Sequence, residues 1–116
     1  MSACDYLELR EARGHWMARM DSAMQGFDAF LSPTVPIVAP PIADVAPGAE
    51  RDAEFHRVNA LLLRNTSPIN MLDGCALSLP CHSADELPVG LMVWAGALRD
   101  DTVLNVSLQI EQALRS

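Results

Sequence analysis

The sequence predicts an α/β fold in which short strands of a mixed sheet are covered by helices. Two apolar runs, residues 75–79 and 89–94, are bordered by proline or glycine and have the length of strands. Neither run alternates cleanly between polar and apolar residues, so we expect both strands to be covered on both faces. Three longer segments, residues 2–24, 52–64 and 100–114, carry helix-start residues and apolar side chains at helical spacing. Short apolar runs among helical segments favour a layered α/β arrangement.

The first helix is predicted to begin at Ser2, which can cap it, with Asp5 three residues later. Gly14 interrupts the helix at a cost of about 1 kcal/mol relative to Ala, and Gly26 is expected to end it. A methionine-rich stripe runs along one face, which we interpret as core or domain interface; a binding surface is the alternative. The stripe consists of Ala12, Trp16, Met20, Met24 and Phe27.

The next segment, residues 28–32, is a short strand candidate, and residues 33–49 form a predicted Pro-rich surface loop. Five of the eight prolines lie between Pro33 and Pro47. Neither a regular helix nor a central strand tolerates that density. A ligand for a proline-recognition domain is the alternative, but the segment lacks a ladder of P-x-x-P repeats flanked by Arg. A loop in extended conformation is therefore the prediction.

A second helix is predicted over residues 52–64, where acidic residues in the first turn favour the positive end of the helix dipole. Asn65 is a candidate for its end. A tight corner follows, in which Ser67 caps a helical turn opened by Pro68. Gly74 is expected to close this corner in a left-handed conformation. The buried stripe of the second helix comprises Phe55, Val58, Leu61 and Leu62.

The last helix is predicted to begin at Asp100 or Asp101, because either carboxylate can cap it. Its buried stripe is predicted to contain Val103, Leu104, Leu108 and Ile110 or Glu111. With 116 residues in total, the chain is expected to form one domain at most.

Composition and charge exclude several classes of function. The net charge of −7 argues against nucleic acid and anionic membranes as partners, because both attract basic patches. All eight basic residues are Arg, so the sequence contains no lysine catalyst. The N-terminus lacks a secretory pattern, and no apolar run approaches the roughly 20 residues that a membrane span needs. Three cysteines suit reduced thiols, which together with these absences predicts a cytoplasmic protein.

No complete active site is visible in the residues themselves. Cys75, Cys81 and His82 form the one cluster of soft ligands, but a zinc site needs four ligands, usually in two close pairs. We therefore predict no metal site and no cofactor. Cys81 and His82 are adjacent on an extended chain and point to opposite faces, which disfavours a nucleophile pair. The sequence lacks a G-x-S-x-G elbow, and the hydroxyl of Ser78 is expected to bond a backbone group.

Several short motifs occur in an order that resembles the C-terminal part of the amidase signature family. The resemblance covers roughly residues 6–114 and implies a single partial domain, residues 1–116, with the C-terminal part of the amidase-signature fold. The family cleaves or transfers carboxamide nitrogen through a Ser–cis-Ser–Lys triad in its N-terminal half, and this chain contains neither triad segment. The motifs are Phe27-Asp-Ala-Phe-Leu-Ser-Pro-Thr-Val-Pro36, Ala39-Pro40, Asn65-Thr66, Asn70, Ala76-Leu-Ser-Leu-Pro80 and Leu87-Pro-Val-Gly-Leu-Met92.

The resemblance also implies a substrate-pocket wall. Positions that line the pocket in the family match Ala60, Leu63 and Ser67, whose spacing places them on one helix face. In the glutamine-dependent tRNA amidotransferase, an acidic residue is expected at the position of Leu63 to hold the substrate's ammonium group. An apolar residue there favours a small neutral or apolar amide over glutamine. The alternative is that Leu63 is ordinary core.

The corner before the first apolar run departs from the commonest family pattern, because Asp73 and Cys75 replace the usual Gly and Pro. Asp73 is expected to fix the corner by bonding backbone N–H groups. The resemblance implies a segment that is inactive alone and belongs with a missing N-terminal half or a homo-oligomer. The alternatives are a non-catalytic partner chain that pairs with a separate triad-bearing half, and a remnant without a role.

Overall fold

A computed structural model describes residues 1–48 and 50–115. Ala49, at the end of the predicted loop, and Ser116, at the end of the predicted domain, lie outside the described residues. Within those residues the elements in chain order are α1 (Ala3–Ala23), β1 (Phe30–Pro33), α2 (Ile42–Val45), α3 (Asp52–Arg64), α4 (Thr66–Met71), β2 (Cys75–Pro80), β3 (Gly90–Ala95) and α5 (Asp100–Leu114).

The three strands form one antiparallel sheet in the order β1-β3-β2. Trp94 of β3 lies opposite both Phe30 of β1 and Ala76 of β2. A short connection joins β2 to β3, which suits antiparallel pairing because parallel neighbours need a crossover of a dozen or more residues. Helices and strands together confirm the predicted α/β class, although the pairing among the described strands is antiparallel rather than mixed.

Helix α5 covers one face of the sheet and forms the core with it. This core contains Leu79, Val93, Ala95 and Val103, and Val93 is fully buried. Strand β3 is buried on its second face as well, where Met92 is 3% exposed. The second face of β2 is exposed at all three of its positions: Ala76, Ser78 and Pro80. The expectation of two covered faces is therefore correct for β3 and wrong for β2.

Helix α1 begins as predicted, with a reciprocal cap at its first turn. The Ser2 hydroxyl accepts a hydrogen bond from the Asp5 backbone N–H at 3.2 Å, and the Asp5 carboxylate accepts one from the Ser2 backbone N–H at 2.7 Å. The bonds from Ser2 lower the pKa of Asp5. Gly26, with a φ of 87°, follows the helix end. No described residue of α1 is buried, so its methionine stripe is not core in this chain.

Helix α3 has the predicted bounds, but its stripe is only partly buried. Val58 is buried, whereas Phe55 and Leu62 are 48% and 40% exposed. Helix α2 lies inside the predicted loop and packs against α3. It begins after Pro41, where proline's fixed φ suits a helix start.

The corner between α4 and β2 differs from the prediction in two respects. Ser67 lies inside α4 and does not cap it; Asn65 occupies the cap position and makes no side-chain capping bond. The left-handed residue is Asp73, with a φ of 56°, rather than Gly74. Gly74 is required by space instead, because a Cβ atom there would lie 2.6 Å from the carbonyl oxygen of Ala95.

The start and the stripe of α5 also correct the prediction. Arg99 occupies the cap position, and Asp100 and Asp101 lie in the first turn, where they favour the helix dipole without capping. Leu104 and Leu108 are 56% and 53% exposed. The side that packs on the sheet contains Val103, Val106 and Ile110, with Ser107 buried among the same turns.

The chain exposes more surface than a closed domain of its mass. Its accessible area is 8382 Å², whereas a folded monomer of 12.6 kDa exposes about 6200 Å². Its radius of gyration is 17.5 Å, compared with about 13 Å for a compact domain of this length. The surplus of roughly 2200 Å² is the size of a large protein interface.

Candidate functional site

The three predicted pocket residues lie on the exposed side of the α3–α4 helical pair. Ala60 and Leu63 are exposed on α3, and Ser67 is half-buried on α4. The backbone stays in the right-handed helical region at Asn65, between the two helices. At about 100° per residue, the three side chains therefore project to one side. They remain a predicted pocket wall, on a shared helical face.

The opposite side of the same helical pair is buried in the protein. Val58, Ile69 and Leu72 are 5%, 6% and 2% exposed. Leu63 is 51% exposed, so the interpretation of Leu63 as ordinary core does not fit this chain. An apolar side chain held on the outward face of a fixed helix is what a pocket wall requires.

The segments that carry the family resemblance meet in space. The motif strands β1, β2 and β3 are neighbours in the sheet. The Asn65 side chain donates from Nδ2 to the carbonyl oxygen of Pro33 at 2.9 Å, which ties the α3–α4 junction to the end of β1. A cleft of about 350 Å³ opens beside this contact. It is lined by Met20, Ser32, Pro33, Arg64, Asn65, Pro68, Ile69 and Trp94.

Two hydroxyl groups bridge the sheet above Gly90. Thr34 Oγ1 and Ser78 Oγ lie 2.5 Å apart. A Cβ atom on Gly90 would lie 2.7 Å from the Thr34 oxygen and closer still to the Ser78 oxygen, so glycine leaves the room for the bridge. The prediction that Ser78 bonds a backbone group is wrong, because its partner is another side chain. The bridge holds the end of β1 against β2 across β3.

Arg13 ties α1 to the corner that follows α4. Its Nε donates to the carbonyl oxygen of Met71 at 2.8 Å, and its Nη2 lies 2.7 Å from Asp73 Oδ1. The prediction that Asp73 bonds backbone N–H groups is wrong, since its carboxylate bonds this guanidinium. Sequence analysis missed Arg13, because nothing in helical spacing indicates a partner some sixty residues away.

Arg13→Ala is expected to loosen α1 while leaving the sheet and α5 intact. Both sides of the ion pair are substantially exposed, and such pairs contribute little to global stability, so the effect is local. Faster amide exchange and faster tryptic cleavage within α1, with an unchanged unfolding midpoint, are the expected results. Arg10→Ala is the matched control on the same helix. Equal protection of α1 in both variants would contradict the tether.

Cys81 and His82 engage the backbone of β3's leading residue rather than each other. Val89 donates its N–H to His82 Nδ1 at 3.2 Å, and Cys81 Sγ donates to the Val89 carbonyl oxygen at 3.5 Å. Cys75 Sγ donates to the carbonyl oxygen of Gly96 at 3.4 Å. Among residues 1–48 and 50–115, no three His, Cys, Asp or Glu side chains are grouped so that they could hold a metal ion.

Comparison with known proteins decides the family. The sequence model of the family described as Amidase matches residues 1–104. The chain belongs to the amidase family. This confirms the resemblance that the motifs indicate.

The chain is similar to proteins named as one of the subunits of glutamyl-tRNA(Gln) amidotransferase. Identity is 38% over 93 residues with the protein from Salinispora arenicola, covering 80% of this chain and 18% of the relative. It is 29% over 110 residues for Clostridium botulinum, covering 95% and 21%. For Halobacterium salinarum it is 27% over 107 residues, covering 92% and 24%.

The chain thus spans about a fifth of the length of these amidase relatives. No solved structure matches it. Among the described helices, none combines the length and the apolar character needed to cross a membrane.

Proposed function

We propose that this chain forms the C-terminal part of an amidase that cleaves carboxamide C–N bonds. In this proposal it supplies sheet strands, covering helices and one wall of the substrate pocket, and is inactive alone. The family match over residues 1–104 carries the proposal. The exposed face of Ala60, Leu63 and Ser67 supports it, because a pocket wall must face outward until the rest of the pocket closes over it.

The residues of the chain favour inactivity in isolation. The sequence contains no Lys, so a Ser–cis-Ser–Lys triad draws its base from outside these residues. The one close hydroxyl pair among the described hydrogen bonds joins Thr34 to Ser78, with no imidazole, amine or carboxylate bonded to either. A serine without a base is a weak nucleophile. Detectable amide hydrolysis by the purified chain would overturn this proposal.

The substrate that fits the wall is a small neutral or apolar amide. An exposed Leu63 offers apolar contact and no negative charge, whereas the ammonium group of glutamine needs a charged or polar partner when it leaves water. The other two wall residues, Ala60 and Ser67, are small and uncharged. Glutamine is therefore the poorer substrate for a pocket closed by this wall.

Leu63→Asp tests the wall directly. In a complex of this chain with an N-terminal amidase half, the kcat/KM ratio of an apolar amide to glutamine is expected to fall at least about tenfold. Leu104→Asp is the matched control, because it makes the same change at an exposed helical position away from the pocket face. An unchanged ratio in Leu63→Asp would remove Leu63 from the pocket while leaving amidase membership untouched.

The second candidate is a non-catalytic chain that pairs with a separate, triad-bearing half. The exposed second face of β2 and the surplus surface favour it, because both indicate a large missing neighbour. Association with such a half supports this candidate, and a closed monomer without affinity for one counts against it. The cytoplasm is the proposed location in either case.

A further inference from the structure

The outer edge of β2 carries unpaired backbone groups whose positions follow from the ladder. The Cys81 N–H donates to the Val89 carbonyl oxygen at 3.0 Å. In an antiparallel pair the hydrogen-bonded positions alternate, so Leu79, Leu77 and Cys75 direct their backbone groups toward β3. Ala76 and Ser78, between them, direct their N–H and C=O groups outward.

The other edge of the sheet, along β1, is a poorer template. The Thr34 N–H donates to the Gly90 carbonyl oxygen at 2.8 Å, which fixes the phase of that ladder. The alternation then turns Leu31 and Pro33 outward. Proline has no N–H, so β1 offers one outward donor where β2 offers two, at Ala76 and Ser78.

The β2 edge also lacks the features that protect free edges. Its sequence, Cys75-Ala-Leu-Ser-Leu-Pro80, carries no charge, and its only proline stands at the far end. Native edge strands are usually blunted by charges, bulges or a covering element. The outward residues Ala76 and Ser78 are exposed, and no described residue bonds their outward backbone groups. An edge of this kind is built to be paired.

The size of the uncovered surface indicates what pairs with it. Two copies joined by one strand would each bury about 800 Å² in a standard interface, well short of the surplus of roughly 2200 Å². A larger, obligate neighbour accounts for the surplus better. The chain spans about a fifth of the length of its relatives, so a neighbour of that size exists within the family fold.

We propose that a β-strand from the remaining part of an amidase fold adds to the sheet at the outer edge of β2, through Ala76 and Ser78. The inference rests on the proposed function, since it names where the segment joins its other half. Main-chain hydrogen bonds supply the attachment, as in other cases of strand addition. The small side chains on the second face of β2 allow a covering layer to approach closely.

The test is co-expression of the full chain with a tagged probe, the Salinispora arenicola relative lacking the segment that this chain matches. Ala76→Pro removes an outward N–H and leaves the ladder to β3 unchanged, so co-purification is expected to fall at least about tenfold. Ala76→Val keeps the N–H and is the matched control. Leu31→Pro removes the outward donor of β1 and controls for the other edge; both controls are expected to bind within about threefold of the unchanged chain.

Amide exchange by NMR gives an independent readout. In the chain alone, the Ala76 and Ser78 amides are expected to exchange rapidly while those of Leu77 and Leu79 are protected, and the complex is expected to protect all four. Equal co-purification of Ala76→Pro and Ala76→Val, or rapid exchange at Ala76 and Ser78 in the complex, would overturn the edge while leaving the proposed function standing. Failure of the unchanged chain to co-purify would overturn both. A dimer of the chain that Ala76→Pro dissociates would replace the proposed occupant with a second copy.

Discussion

Replacing Leu72 by Ala is expected to lower the free energy of unfolding by about 2–5 kcal/mol. Leu72 is 2% exposed and follows directly after α4, where the helical pair turns into β2. Truncation there removes apolar contacts and leaves a cavity that the fixed corner cannot close. A domain of this size has about 5–15 kcal/mol in total, so the loss is a large share. Urea denaturation followed by circular dichroism measures it.

Leu108→Ala is the matched control for Leu72→Ala. It deletes the same atoms from a side chain that is 53% exposed on α5, and it places a strong helix former on a helix. The expected change is within about 0.5 kcal/mol. Comparable losses in the two variants would mean that Leu72 is not part of a packed core.

Gly74→Ala is expected to destabilise the chain by about 1–3 kcal/mol, as overpacking does. The added Cβ would lie 2.6 Å from the Ala95 carbonyl oxygen and 3.1 Å from Ile69 Cγ2. The first neighbour is backbone of the central strand, which cannot give way without disturbing the ladder between β2 and β3. The thermal unfolding midpoint is therefore expected to fall, with no change in helix content before unfolding.

Gly14→Ala is the matched control, because a Cβ there meets nothing within 4 Å and the residue lies inside α1. Ala favours a helix over Gly by about 1 kcal/mol, so the α1 signal is expected to become more stable. If Gly74→Ala were as well tolerated as Gly14→Ala, the corner would not approach the Ala95 backbone as closely as the structure shows.

Local features of this fold could be predicted from the sequence because their causes are local. The cap formed by Ser2 and Asp5 and the bounds of α3 depend on neighbours within one turn of helix. The predicted left-handed position in the corner is wrong by one residue. Gly74 tolerates that conformation most easily, but the ion pair with Arg13 holds Asp73 on the opposite side of the same corner.

Long-range contacts were not predictable, since spacing carries no information about partners far along the chain. The hydroxyl bridge between Thr34 and Ser78 joins residues forty-four positions apart, and the contact of Arg13 with Asp73 joins residues sixty apart. The predicted pocket wall came from family resemblance rather than from residue pattern. The structure adds that Leu63 faces outward, which its apolar character alone did not indicate.

Strand β2 shows how a misprediction carries information. Its apolar sequence predicts burial on both faces, yet Ala76 and Ser78 are exposed. The sequence of a strand reflects the environment in which it is finally packed. An apolar strand with one bare face is therefore evidence for a neighbour, in agreement with the surplus surface of the chain.

The central claim is that this chain completes an amidase and does nothing alone. The most direct measurement compares amide hydrolysis by three samples at equal concentration: the purified chain, the Salinispora arenicola relative without the matched segment, and the two co-purified. Release of ammonia from a panel of neutral amides and glutamine is followed. We expect hydrolysis only in the co-purified sample. Hydrolysis by the chain alone, or equal hydrolysis with and without the chain, would contradict the account.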